Sequence, residues 1–446
     1  MVRGVDMGLG VLLIVVVFTI TILNNQWIFE QSGQSDKQLR TASSKTTLTP
    51  YCKRFIKSCN TVLSTLEAEH QFTSDQLEQV QMKMDWVIEP ILEKYPDNEK
   101  IISEQAGTCW QSLLEAIQHK TTKKYTKDVM SIPYYQALKY TNMRVNDAIG
   151  EILGIIYPKY VVNAETPPGL LGPFDPAEAK RALKNMNTQG YHILSTKLSP
   201  DVLKEIAANL ASLKYGADGK TKFDGEKRDG SVNWVTDPLE TTQKVKVSFA
   251  MMTDPTLLHI IQEYLGDAPV NTQVNTWWST ACNKLLGCGG AKEGSQAWHQ
   301  DFTWIKFIKI FVYVNDVYKE NGAHRYIPGS YKNLFPVLEF RKDNYEVSTR
   351  IEDSDIQQLY PGKETYMEGT AGTILLEDTR GFHAGVPLQK GYRQLMQWEF
   401  AVSNYRYLND AWFSQHTCKS WFEVETINNF QKYPRLFERF EVDASC

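Results

Sequence analysis

Between residues 270 and 403 the chain is cut into short runs rich in β-branched and aromatic residues: "VNTQVNTWWST", "AWHQDFTWIKFIKIFVYVN", "HRYIPGS", "TAGTILLED" and "YRQLMQWEFAVSN". Gly, Pro and Asn stand between the runs, which is the pattern of strands joined by turns rather than of helices. Upstream, "AEAKRALKNMNTQG" reads as a helix stopped at Gly190, and "SPDVLKEIAANLASLK" as one capped by Ser199. "DPTLLHIIQEYLG" reads as a third helix and "YHILST" as a short strand. A few helices followed by many short strands predicts an α+β unit: a double-sheet jelly roll with flanking helices.

What precedes this unit is organised differently. No charged side chain occurs from Met7 to Phe29, and as a helix that stretch would reach about 34 Å, enough to cross a bilayer core of about 30 Å. No small-residue cleavage pattern follows, so residues 1–30 read as an uncleaved N-terminal transmembrane signal anchor. The flanking basic residues barely orient it, with a slight lean to an extracytoplasmic or lumenal catalytic domain. Residues 31–46 form a polar linker, and 47–165 read as a helical region with no chemical constellation, suited to packing or to a protein partner. Its clearest signal is Thr73-x-x-Gln76 ahead of Leu77, Val80, Met84, Val87 and Ile91, a capping box before an apolar stripe. Pro90 is expected to kink or end that helix. The Pro- and Gly-dense "NAETPPGLLGPFDP" separates it from the domain at 166–446.

Composition removes several function classes. A net charge of −4 with interspersed signs gives no basic footprint for nucleic acid. The seven cysteines form no C-x-x-C pair, which argues against a zinc knuckle or a dithiol redox motif.

The chemistry concentrates in "WHQDF". In extended backbone His299 and Asp301 project to one face, while Trp298, Gln300 and Phe302 face away. A third donor, His383, follows the apolar run "TILLED". Two imidazoles and one carboxylate form a facial set that leaves three positions open on an octahedral iron(II). A 2-oxo acid can fill two of those positions and O2 the third. Ten residues beyond His383, Arg393 offers a permanently charged fork for the distal carboxylate of such an acid. Its own strand face carries Leu395, Gln397 and Glu399, with Gln394, Met396, Trp398 and Phe400 on the other. Lys309 and Tyr313 share one face of "FIKIFVYV" and are further candidates for cofactor binding, although that face could equally be the wetter one. His324 is a candidate for the substrate mouth. His192 reads as a satisfied core histidine. "GCGGAKEG" lacks phosphate-loop spacing and reads as a lid.

Over roughly residues 175–405 these motifs, with "GYHILSTKLSPDVLKEI", "FVYVNDVYKENGAHRYIPGSYK" and "GTILLEDTRGFHAG" in order, resemble the phytanoyl-CoA dioxygenase family of iron(II)- and 2-oxoglutarate-dependent oxygenases. The resemblance implies a double-stranded β-helix, cupin-like catalytic domain. It also implies iron held by His299, Asp301 and His383, 2-oxoglutarate and O2 as co-substrates, and Arg393 as the co-substrate anchor. Relatives that halogenate lack the carboxylate ligand, so Asp301 implies hydroxylation. The chain departs from the family block ending in "PGSH", with Tyr331 at its last position. The expectation is a membrane-anchored dioxygenase, a hydroxylase, acting on a small-molecule or lipid-like substrate. The rival is a catalytically silent, membrane-tethered jelly-roll binding module.

Overall fold

The computed structural model describes residues 64–95, 97–98, 100–101, 104–109, 137, 141–211, 213–215, 221–222, 232–234, 241, 245, 247–281, 296–302, 304–333, 350–403, 415–418, 424–443 and 445. The anchor, the linker and the glycine-rich "GCGGAKEG" loop lie outside these residues. Among the described residues no helix is long and apolar enough to cross a membrane.

Two antiparallel sheets carry the domain. The larger runs in the order β1 (Tyr191–Ile193), β7 (Ile374–Glu377), β4 (Phe307–Tyr313), β9 (Tyr392–Ala401), β3 (Val270–Thr280) and β2 (Val232–Trp234). The smaller is β8 (His383–Gly385), β5 (His324–Tyr326) and β6 (Thr365–Met367). Phe311, Tyr313, Leu375 and Leu395 of the larger sheet share a buried cluster with Tyr326 and Met367 of the smaller, so the two sheets face each other as a jelly roll requires. The alternation along β9 separates as its sequence predicts. Leu395 enters that inter-sheet cluster, while Met396, Trp398 and Phe400 enter the main core with the helices.

The helices form where their end signals stand. α1 (Ser74–Lys94) has the reciprocal Thr73–Gln76 capping box, and it runs on through Pro90 rather than ending there. The carbonyl that Pro90 leaves without a helical donor, Trp86 O, accepts instead from Arg144 Nη1 at 3.0 Å, and the proline ring is buried. α2 (Arg144–Ile156) packs on α1 and on α6 (Pro255–Leu265). α2 is tied directly to the domain: Asn146 Oδ1 accepts from Lys306 N at 2.7 Å, and Asp147 stands 3.5 Å from Lys306 Nζ. α3 (Pro176–Gln189) stops at Gly190, whose φ of +89° suits glycine; a Cβ there would also collide with Tyr326 and Tyr331. α4 (Pro200–Ala211) follows Ser199, whose Oγ accepts from Val202 N at 3.3 Å. α5 (Val247–Thr253) takes the indole N–H of Trp398 on Ser248 O at 3.1 Å.

His192 is the satisfied core histidine that its apolar setting suggests. Its Nε2 lies 2.6 Å from Glu178 Oε1, and its Nδ1 lies 2.9 Å from Asn185 Nδ2. Glu178 also accepts from Ser195 and Arg181. Burial pushes the Glu178 carboxyl up, but the donors from Ser195, His192 and Arg181 outweigh it and hold it down to about 2. A depressed folded pKa contributes stability above the unfolded value near 4.5, and that stability is lost as pH falls towards 2. Glu178→Ala is therefore expected to cost about 2 kcal/mol near pH 7, because it strands the buried His192 while the exposed Arg181 and Ser195 can turn to water. The difference from the parent should shrink below pH 4, as read by urea melts across that range.

Candidate metal centre

"WHQDF" does not form a regular strand. Trp298 bridges Ile351, and His299 bridges His383 through paired backbone bonds of 3.0 Å, while Asp301 N donates to Thr379 O at 2.8 Å. These three anchors hold the segment extended, so the expected outcome survives the loss of the strand. His299, Asp301 and His383 offer ligand atoms that all lie within 4.8 Å of one another, the one such group of three or more among the described residues.

The geometry suits a divalent ion. Asp301 Oδ1 is 3.7 Å from His299 Nε2, and Oδ2 is 3.3 Å from His383 Nε2. Donors placed about 2.1 Å from a metal and at right angles stand about 3 Å apart, so modest contraction completes the set. Each imidazole is oriented from behind: Nδ1 of His299 donates to Ala297 O at 2.8 Å, and Nδ1 of His383 to Gly381 O at 2.9 Å. A carbonyl can only accept, so Nδ1 carries the proton in each neutral ring and Nε2 is the atom left to ligate a metal. Burial, then the neighbouring His383, holds His299 well below the usual imidazole range and keeps it neutral. Burial alone would push Asp301 up, but Lys309 and His383 outweigh it and hold the carboxyl well below the ordinary range. His299 and Asp301 thus rest in the protonation states of metal ligands, whereas burial, which would lower His383, is outweighed by the Asp301 carboxylate, which holds that imidazole up, so a metal has to displace a proton there. Iron fits this donor set of two nitrogens and one oxygen.

From His383 the chain runs down β8, turns, and returns along β9. Arg393 stands at the start of that strand. By its end the chain is back beside the ligands, where Glu399 Oε2 lies 3.4 Å from Lys309 Nζ. Arg393 is buried and has no acidic partner among the described residues. It donates to Gly322 O and, at 3.3 Å, to Ser279 Oγ, while its Nε has no acceptor. A buried guanidinium left in this state is poised for a carboxylate. Ser279, its cross-strand neighbour on β3, was not singled out by sequence because a serine in a strand carries no signal of its own.

The remaining candidates are engaged within the protein. Lys309 Nζ donates to Asp301 Oδ2 at 2.7 Å. Tyr313 commits its hydroxyl proton to Met367 O at 2.7 Å. His324 does not reach a mouth. It is buried, stacked on His383 at 5.4 Å between ring centroids, and its Nε2 lies 3.2 Å from Glu377 Oε1 at an angle too poor for a hydrogen bond. Glu377 was missed, although an acid closing the apolar run "TILL" was the available signal.

Residues 186–389 match the model of the phytanoyl-CoA dioxygenase (PhyH) family, a stretch that contains all three ligands and stops short of Arg393. No curated protein matches the chain. Among solved structures, HygX from Streptomyces hygroscopicus with nickel and 2-oxoglutarate bound is 14% identical with a TM-score of 0.37, covering 53% of this chain and 90% of its own. AviO1 from Streptomyces viridochromogenes Tue57 is 13% identical with a TM-score of 0.35, covering 52% and 99%. The epimerase SnoN in complex with Fe3+, alpha ketoglutarate and nogalamycin RO is 14% identical with a TM-score of 0.38, covering 51% and 84%. The family match carries the likeness: residues 186–389, a little under half of the chain, are similar to the phytanoyl-CoA dioxygenase family of iron(II)- and 2-oxoglutarate-dependent oxygenases.

Proposed function

We propose that the chain is an iron(II)- and 2-oxoglutarate-dependent dioxygenase that hydroxylates a C–H bond of a small-molecule or lipid-like substrate. The observation that carries this reading is the convergence of His299, Asp301 and His383 with both Nε2 atoms turned to the Asp301 carboxylate and both Nδ1 atoms held from behind. Bound iron would supply the redox chemistry that couples O2 to decarboxylation of 2-oxoglutarate, giving succinate and CO2. The chain's own residues do the positioning. His299, Asp301 and His383 hold one face of the metal and leave the opposite face to the co-substrates. Arg393 and Ser279 receive the distal carboxylate and so fix the direction in which 2-oxoglutarate extends from the metal. Phe311 packs on His324, which stacks on His383, so the apolar layer between the sheets stands against the ligands. The presence of Asp301 supports hydroxylation over halogenation, which needs that ligand position free. The test is succinate formation by the purified full-length chain given Fe(II), ascorbate, O2 and 2-oxoglutarate. Slow uncoupled turnover that disappears with a chelator is expected; its absence at saturating 2-oxoglutarate favours a silent binding module.

Attachment to a membrane through residues 7–29 belongs to the same proposal, supported by that uncharged apolar stretch. Full-length protein is expected to stay in the membrane pellet after carbonate extraction, and recovery in the wash contradicts the anchor.

A further inference from the structure

Lys309 sits between two carboxylates. On one side its Nζ is 2.7 Å from Asp301 Oδ2, the oxygen that also stands 3.3 Å from His383 Nε2, which leaves Oδ1, 3.7 Å from His299 Nε2, as the oxygen for a metal; on the other it is 3.4 Å from Glu399 Oε2. Glu399 is itself fixed, because its Oε1 accepts from Thr272 Oγ1 at 2.9 Å and from the indole N–H of Trp304. Both neutral donors hold Oε1, so Oε2 is the atom turned to the lysine. The strand register enforces the arrangement, since Lys309 on β4 stands directly opposite Glu399 on β9. Thr272 and Trp304 hold Glu399, Glu399 holds Lys309, and Lys309 holds one oxygen of the carboxylate ligand.

We propose that Lys309 is a positioning residue that keeps Asp301 Oδ2 off the metal, so that Asp301 binds through one oxygen and a coordination position stays open. This rests on the dioxygenase reading. A carboxylate can bind a cation through one oxygen or both. With two imidazoles and a bidentate 2-oxo acid in place, a second Asp301 oxygen would take the sixth position and leave none for O2. An ammonium on Oδ2 prevents that closure. It also explains why a buried lysine lies beside a cation site, where its charge alone would oppose metal binding.

The test uses nitric oxide, a neutral occupant of one open position, titrated anaerobically into the full-length Fe(II) protein saturated with 2-oxoglutarate and read by electron paramagnetic resonance. Lys309→Met removes the donor and keeps the chain length. Lys309→Gln keeps polarity, but its donor is one bond too short to reach Oδ2. Both variants are expected to hold the metal yet to bind nitric oxide about tenfold or more weakly than the parent, the size of effect usual for a group that orients a ligand. Lys309→Arg, which keeps a donor within reach, should recover most of the loss. A lysine that touched 2-oxoglutarate directly would change the concentration needed for saturation and leave nitric oxide affinity alone. Either folded neutral variant binding nitric oxide as the parent does overturns the proposal. Failure of the parent itself to take up Fe(II) and 2-oxoglutarate is a separate result that removes the dioxygenase reading.

Discussion

His383→Ala and His299→Ala are each expected to abolish iron binding and succinate formation together. Each imidazole presents Nε2 to the same point and is held there by an Nδ1 bond to a carbonyl two residues upstream. Alanine removes a donor that no other histidine among the described residues is placed to replace: His324 stacks on His383, but its Nε2 faces Glu377. Asp301→Ala separates two effects. It removes the anionic ligand and leaves Lys309 facing the site with only Glu399 as partner, so residual metal binding is expected to be weak and hydroxylation absent. Metal content by atomic absorption and succinate by mass spectrometry check all three variants. Normal metal content in His383→Ala would place the ion elsewhere.

Arg393→Ala carries the second large effect. The guanidinium is buried, lacks an acidic partner and has an Nε without an acceptor. With 2-oxoglutarate bound it would form a charge-assisted pair with the distal carboxylate; its removal buries that anion alone. The expected cost is about 3–5 kcal/mol of co-substrate binding, roughly a hundredfold to several thousandfold in the 2-oxoglutarate requirement. Iron content should remain near normal, because Arg393 touches none of the ligands. Arg393→Lys should recover only about tenfold, since a point charge cannot supply two parallel hydrogen bonds. Calorimetric titration of 2-oxoglutarate into the Ni(II) form measures each value, and an unchanged affinity in Arg393→Ala would move the anchor to another base.

Much of the arrangement could be read from local pattern. Thr73 and Gln76, Ser199, and the Gly190 stop fix helix ends through backbone chemistry that acts within a few residues. The alternation along β9 set Arg393 and Glu399 on one face and Trp398 on the other, because a pleated strand has a period of two. What was not legible depends on register between distant strands. Lys309 meets Asp301 and Glu399 only because β4 lies beside β9 and the extended "WHQDF" segment crosses their end. The same holds for Ser279 beside Arg393 and for His324 facing Glu377 across the two sheets. The strand expected at "WHQDF" failed for a related reason: its extension comes from isolated bridges to 351 and 383 rather than from a continuous ladder. Pro90 does not stop α1 because a side chain distant in sequence, Arg144, supplies the donor that Trp86 O loses.

The measurement that bears most directly on the central claim is a crystal structure of the protein grown anaerobically with Fe(II) and 2-oxoglutarate, with anomalous scattering recorded at the iron edge. The account predicts one strong anomalous peak bounded by His299 Nε2, Asp301 and His383 Nε2, with 2-oxoglutarate extending from it to place its distal carboxylate on Arg393 and Ser279. An iron peak away from these three side chains, or 2-oxoglutarate bound without contact to Arg393, would contradict it.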